Sequence, residues 1–325
     1  MLLMSADLEN LVAEQLPLLR TVEESWQPSD FMPAANDPDW HQKIAELRKG
    51  AAGLSDEILV VLVGNTVTEE ALPSYQTWLN RSAVLKDETG ASPTPWAMWT
   101  RGWTAEENRH GDLLNRYLYL SGRVNMRSLE ATTHHLIRNG FNPNTDNDPY
   151  RSIIYVSFQE RATKISHANM GKLAEKSGDE TLGKICAAIA GDEARHEEAY
   201  KRICRGLVEA DPGNAVIAFA GMMRQRISMP ASLMSDGIAE DVFDRFAVVA
   251  QKAGVYTFRD YADVLRHLTD YWKIPSITGL KGEAADCQEY LCKLSDQYLA
   301  KADRIQEKLL NFSKESFEWI FGRAV

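Results

Sequence analysis

Two short segments of the sequence repeat one chemical frame. Glu106-Glu107-Asn108-Arg109-His110 and Asp192-Glu193-Ala194-Arg195-His196 both read acidic-Glu-x-Arg-His. On a helix, residues three apart share a face, so Glu107 with His110 and Glu193 with His196 can each aim at one centre. A candidate glutamate stands upstream of each pair: Glu69 before the first, Glu160 before the second. Glu, ExxH, Glu, ExxH across four helices is the donor order of di-iron and di-manganese carboxylate bundles. Four carboxylates and two imidazoles suit paired iron or manganese and do not suit structural zinc, which prefers thiolates. One ExxH arises readily because glutamate is common. Two in the same frame, each with its own upstream Glu, do not.

Helix phase supports the choice. The face of Glu160 carries Ile153, Val156, Ser157, Thr163 and His167, and that of Glu107 carries Thr100, Trp103, Thr104, Gly111 and Leu114. A glutamate on such weakly polar faces is costly unless paired or coordinated. Asp192 is expected to hydrogen-bond a ligand histidine, and Arg109 and Arg195 to pair with carboxylates around the site.

The elements that must position these residues are helical. Leu8, Leu11, Val12, Leu16 and Leu19 share one face of a first helix. Further helices are predicted over 55–80, 94–120, 127–138, 150–176, 179–209, 214–228, 240–253, 258–272 and 284–312. Gly90-Ala-Ser-Pro93, Asn139-Gly-Phe-Asn-Pro143 and Asp211-Pro-Gly-Asn214 supply breaks. Pro73 lacks the N–H that would bond the Glu69 carbonyl, so a kink is expected there, re-aiming Glu69 or merely bending the helix around the core. Long helices with short loops build up-and-down bundles, so one all-α domain over 1–325 is expected.

Composition narrows the function classes. The chain has 325 residues, 44% hydrophobic and 25% charged, enough for a large core. No run of 18 apolar residues appears, so no membrane-spanning helix is expected. The start reads as neither signal nor transit peptide, so a cytoplasmic protein is expected, or a plastid-stroma protein if a transit peptide was removed. A net charge of −10 argues against nucleic acid and an anionic membrane as partners. The cysteines Cys186, Cys204, Cys287 and Cys292 show no metal spacing and read as reduced.

The segments 104–123, 69–76, 157–163 and 192–196 resemble the soluble acyl-[acyl-carrier-protein] desaturases of plant plastids, as do Trp26-Gln-Pro-Ser-Asp-Phe31 and Ile227-Ser-Met-Pro-Ala231. The resemblance runs nearly the whole chain. It implies an eleven-helix, ferritin-like bundle with a four-helix di-iron core, forming a homodimer with two Fe ions per subunit. Glu107 and Glu193 would bridge the irons, Glu69 and His110 completing one, Glu160 and His196 the other. Thr163 would lie near the oxygen site, and Trp26 and Asp192 would relay electrons from reduced ferredoxin. O2 would then drive removal of two hydrogens from an acyl chain on acyl carrier protein, leaving a cis double bond. Trp78, Arg81, Ser82, Pro143, Thr145, Ser152 and Ile153 fall at substrate-channel positions. Trp78 replaces a smaller residue and is expected to shorten the channel, and Arg81, Ser82, Arg151, Ser152 and Ile153 also depart from the plant pattern. Without the plant N-terminal extension, a bacterial member is expected. Lys201, Arg202, Arg205, Arg224 and Arg226 are candidates for docking the acidic carrier, or a solvated basic face. A di-iron hydroxylase or oxygenase on a carrier-tethered group, a ferritin-like iron-binding protein and a bundle without metal are the competing readings.

Overall fold

In the computed structural model, which describes residues 2–82, 85–239, 241–310 and 313–325, each core helix begins where the sequence supplies a cap. Thr94 accepts the N–H of Ala97 and Pro95 opens α5 (Pro95–Ser121). Asp148 accepts from Tyr150 and Arg151 at the start of α7 (Pro149–Lys176), and Asp179 accepts from Leu182 at the start of α8 (Glu180–Ala210). Ser55 caps α3 (Asp56–Glu70), whose first turn holds Asp56 and Glu57 against the helix dipole. Gly122, at φ 67°, stops α5 in the left-handed conformation that glycine adopts without strain.

These four helices form the core: α3 packs on α5 and α7, and α8 packs on α5 and α7. α3 is apolar all round, with Val60, Val61, Leu62 and Val63 fully buried, because neighbours enclose it on every side. Around the core lie α1 (Leu2–Ala13), α2 (Trp40–Ala52), α4 (Leu72–Leu79), α6 (Met126–Asn139), α9 (Pro212–Gln225), α10 (Val242–Ala253), α11 (Phe258–Tyr271) and α12 (Glu283–Leu310). A two-stranded antiparallel ribbon pairs Ser316 with Ala324 and Phe317 with Arg323. The result is an all-α, ferritin-like bundle with added helices.

Twelve helices occur among the described residues, one more than the resemblance implies. Ala71 interrupts the helix expected over 55–80, and Pro73 falls in the first turn of α4, where its missing N–H costs nothing. Leu16 and Leu19 lie past the end of α1, in and beside a 3-10 turn opened by Pro17. The 214–228 helix ends at Gln225 because Arg226 turns to φ 61°. Residues 240, 311 and 312, at predicted helix ends, lie outside the described residues.

The apolar interior forms two clusters. One holds Trp103 of α5, Phe158 of α7 and Ala199 of α8; the other holds Leu113, Met170 and Ile189 of the same helices. The candidate ligands on all three helices fall between these marks, so the polar centre sits midway along the bundle, sealed at both ends by hydrocarbon. Among the described residues no single helix is long and apolar enough to cross a membrane.

Candidate metal centre

Six side chains from four helices converge. Donor atoms of Glu69, Glu107, His110 and Glu193 all lie within 4.8 Å of one another, as do those of Glu107, Glu160, Glu193 and His196. Glu107 and Glu193 belong to both groups. His110 turns Nδ1 inward, 3.3 Å from Glu107, 3.5 Å from Glu193 and 3.7 Å from Glu69. His196 does the same, 2.8 Å from Glu107 and 3.5 Å from Glu160. All six residues are buried.

The electrostatics are those of a site with too much negative charge. Burial pushes the Glu69 carboxyl up, but hydrogen bonds to His110 and His167 outweigh it and pull it down to about 2. At Glu107 burial is likewise outweighed, by His110 and His196. Glu160 and Glu193 go the other way: burial, reinforced by neighbouring carboxylates, raises both, Glu160 well above the usual range. Burial would lower both imidazoles, yet the facing carboxylates raise them well above 6.5. Protons thus do in the protein alone what cations would do in a loaded site. The Nδ1 atoms of His110 and His196 and Oε1 of Glu107 are buried with no hydrogen-bond partner, although nearly all such groups in proteins have one. Donor atoms aimed at a common point without hydrogen bonds to satisfy them fit two divalent metal ions, each offered one Glu, one His and two shared carboxylates.

Partners outside the cluster cross between the helices. Asp192 of α8 lies 3.4 Å from Nε2 of His110 on α5, while Glu106 of α5 accepts from Nε2 of His196 on α8 at 2.9 Å. Asp192 thus contacts a histidine as expected, but one on the opposite helix. Arg109 pairs with Asp192 at 2.9 Å, and Arg195 with Glu106 at 2.8 Å and Asp192 at 2.5 Å. Trp26 stacks on His110, centroids 6.0 Å apart, with the Arg109 guanidinium 4.4 Å over its ring. Three partners go beyond what the sequence assigns. For Glu106 the available signal is the repeated frame, in which it occupies the position of Asp192. Trp103 donates Nε1–H to Glu160 at 3.1 Å, and His167 sits 2.7 Å from Glu69. Both appeared on ligand faces, but periodicity does not say which helix a face meets.

Thr163 donates to the carbonyls of Gln159 and Glu160, and with Glu69 and His167 it lines a cavity of about 220 Å³. Phe243, Phe246 and Tyr261 provide much of its apolar wall. The seven residues expected at the channel do not line this cavity. Trp78 is buried against Phe141 and Tyr155 and donates to Thr145. Trp78, Ser82 and Ser152 surround a residual space of only about 10 Å³. Ile153 is fully buried in the core, Arg81 is exposed, and Pro143 lines a separate space of about 90 Å³. Ile227, Ser228 and Met229 line both that space and the larger cavity. Of the basic candidates, Lys201 and Arg202 are tied to Glu198 and Arg205 to Glu209. Arg224 lies over the Tyr290 ring, and Arg226 lines the smaller space beside Pro143.

Fold and cluster together define a ferritin-like helical protein with a di-iron-type carboxylate site. The chain belongs to the fatty acid desaturase family, whose model matches residues 2–321. It is 53% identical to stearoyl-[acyl-carrier-protein] 9-desaturase 1, chloroplastic, of Arabidopsis thaliana, over 95% of this chain and 79% of that protein. It is 51% identical to the acyl-[acyl-carrier-protein] 6-desaturase of Thunbergia alata, over 95% of this chain and 80% of that one. The solved structure of DesA2 from Mycobacterium tuberculosis shares the fold, with a TM-score of 0.53 at 15% identity, covering 87% of this chain and 98% of that one.

Proposed function

We propose that the protein desaturates a fatty-acyl chain held on acyl carrier protein, using two irons, O2 and electrons from reduced ferredoxin. The observation that carries this reading is the pair of overlapping donor clusters that share Glu107 and Glu193 in a water-poor interior. Glu69 and His110 serve one iron and Glu160 and His196 the other. An unactivated C–H bond needs an oxidant made from O2, which is what the bound irons supply. The chain's own residues do the rest. The apolar cavity beside Glu69 and Thr163 holds methylenes against the centre and excludes water. The Thr163 hydroxyl offers a neutral proton donor on that wall, three residues past Glu160. Trp26, stacked on His110 and linked through Arg109 to Asp192, is the route by which electrons reach the centre.

Relatives named for 9- and for 6-desaturation are almost equally similar to this chain. Overall likeness therefore leaves the bond position to local residues. Trp78 fills the space beside Ser82 and Ser152, which favours a chain shorter than the plant C18 substrate. Replacing Trp78 by Met is expected to lengthen the chain accepted. The active form is a homodimer, and the carrier docks through Arg224 and Arg226. The compartment follows the carrier and ferredoxin: bacterial cytoplasm, or plastid stroma.

The test is incubation with carrier proteins bearing C10 to C18 chains, reduced ferredoxin and O2, followed by mass spectrometry and double-bond mapping. Loss of two hydrogens and a cis alkene is expected. Gain of one oxygen would make the protein a hydroxylase, and no product at any chain length would remove the assignment.

A further inference from the structure

One buried carboxylate next to the centre has no part in the chemistry above. Glu197 follows His196 on α8 and is 1% exposed. Arg161, which follows Glu160 on α7, reaches its Oε1 at 2.6 Å, and Lys164, one turn further along α7, contacts its Oε2. His267 Nε2 of α11 lies 3.4 Å from Oε1, and Lys201 of α8 lies 3.6 Å from it. Basic side chains from three helices thus meet on a single carboxylate that is the next residue in sequence after the converging His196.

Taking a carboxylate out of water costs several kcal/mol before its partners repay it, so ion clusters of this kind are poor sources of stability and better suited to fixing one arrangement. Apolar helix contacts tolerate small slides. A metal site does not, because ligand distances must hold to about 0.2 Å. Glu160 and Arg161 are consecutive on one helix, as His196 and Glu197 are on the next. The Arg161–Glu197 contact therefore sets the spacing of Glu160 and His196 with one residue of leverage on each side.

We propose that Glu197 is a positioning residue for the metal served by Glu160 and His196. Clamped by Arg161 and Lys164, it holds α7 against α8 so that both side chains meet the same ion. The Glu69/His110 position lies on the far side of Glu107 and Glu193 and does not depend on it. This inference rests on the two-metal reading of the centre.

The experiment is an anaerobic titration of metal-free full-length protein with Co(II), followed by its visible absorption, for wild type, Glu197→Gln and Glu209→Gln. Glu209 pairs with Arg205 on the exposed side of the same helix and serves as the control. Wild type and Glu209→Gln are expected to bind two ions per chain. Glu197→Gln is expected to keep the first ion at wild-type affinity and to bind the second about 10–100-fold more weakly, the usual penalty for losing a supporting partner of a ligand. If Glu197→Gln does not fold, Arg161→Met, which leaves the carboxylate Lys164 and Lys201, is expected to show the same one-sided loss. Equal weakening of both ions, or no change, overturns the inference while leaving the metal centre standing. Failure of wild type to bind two ions removes the centre and the inference together.

Discussion

The Glu69/His110 and Glu160/His196 halves of the centre carry matching side chains but are held by different means. In the second half the tie between helices is ionic, Arg161 to Glu197. In the first half it is close backbone approach. A Cβ added at Gly111, next to His110, would lie 3.2 Å from the Glu70 nitrogen and 3.3 Å from the Glu69 carbonyl carbon. There α5 leans on α3 so tightly that only glycine fits comfortably, and Glu69 and His110 are set by contact. Near-symmetry of the donors therefore does not mean symmetry of support. The two halves should fail separately, through different substitutions.

Substitutions at the shared carboxylates should erase the contrast. Glu107→Gln removes a donor from both clusters. It should lower affinity for both metals by more than about 100-fold, since losing a ligand exceeds the 10–100-fold cost of losing a ligand's partner. Metal content after desalting, measured by plasma emission, checks this. Gly111→Val should sharpen the contrast. Its side chain must push α5 off α3, costing about 1–3 kcal/mol of stability as overpacking does. It should weaken the Glu69/His110 ion while sparing the other, read as a lower Tm and a one-sided loss in the Co(II) titration.

The pH dependence of the metal-free protein separates the carboxylates from the imidazoles. Glu106 is pulled down to about 2, because His196 and Arg195 outweigh its burial. Its contribution to stability is fully present above about pH 4.5 and is lost as pH falls toward 2. His110 and His196 are raised well above 6.5, so their contribution is present below that value and is lost as pH rises through their raised values. Metal needs Nδ1 free of its proton. Uptake should therefore release at least about one proton per ion near neutral pH, and affinity should climb about tenfold per pH unit for each proton displaced. Proton release in weakly buffered solution measures it.

Two smaller effects complete the comparison. Trp103→Phe keeps the packing but removes the N–H donated to Glu160. It should weaken the second-half ion by about tenfold, the low end for a supporting hydrogen bond. Gly191→Ala on α8, where an added Cβ meets nothing within 4 Å, should stabilise the fold by roughly 0.5–1 kcal/mol, opposite in sign to the Gly111 change. Urea unfolding resolves both signs.

Much of the centre was legible because its information is local. The ExxH pairs declare their spacing within one turn, and the long helices declare themselves by apolar period and by caps such as Thr94 and Asp148. What was not legible depends on which helix meets which. The crossing of Asp192 to His110 and Glu106 to His196, and the meeting of His167 with Glu69, join residues far apart in sequence. α2 was missed because its buried positions are sparse, Ile44, Leu47 and Ala51, and the segment before it is rich in Pro and Asp. The aromatic wall of the apolar cavity comes from α10 and α11, whose Phe243, Phe246, Phe258 and Tyr261 belong to no motif. The Glu197 clamp reads in sequence as an ordinary run of surface charge.

The central claim is that these six side chains hold two metal ions side by side. Anomalous diffraction at the iron edge from crystals of the iron-loaded protein tests it directly. Two peaks per chain are expected, about 3.5–4 Å apart, both touching Glu107 and Glu193, with His110 on one and His196 on the other. A single peak, or iron bound only at the surface, would contradict the account.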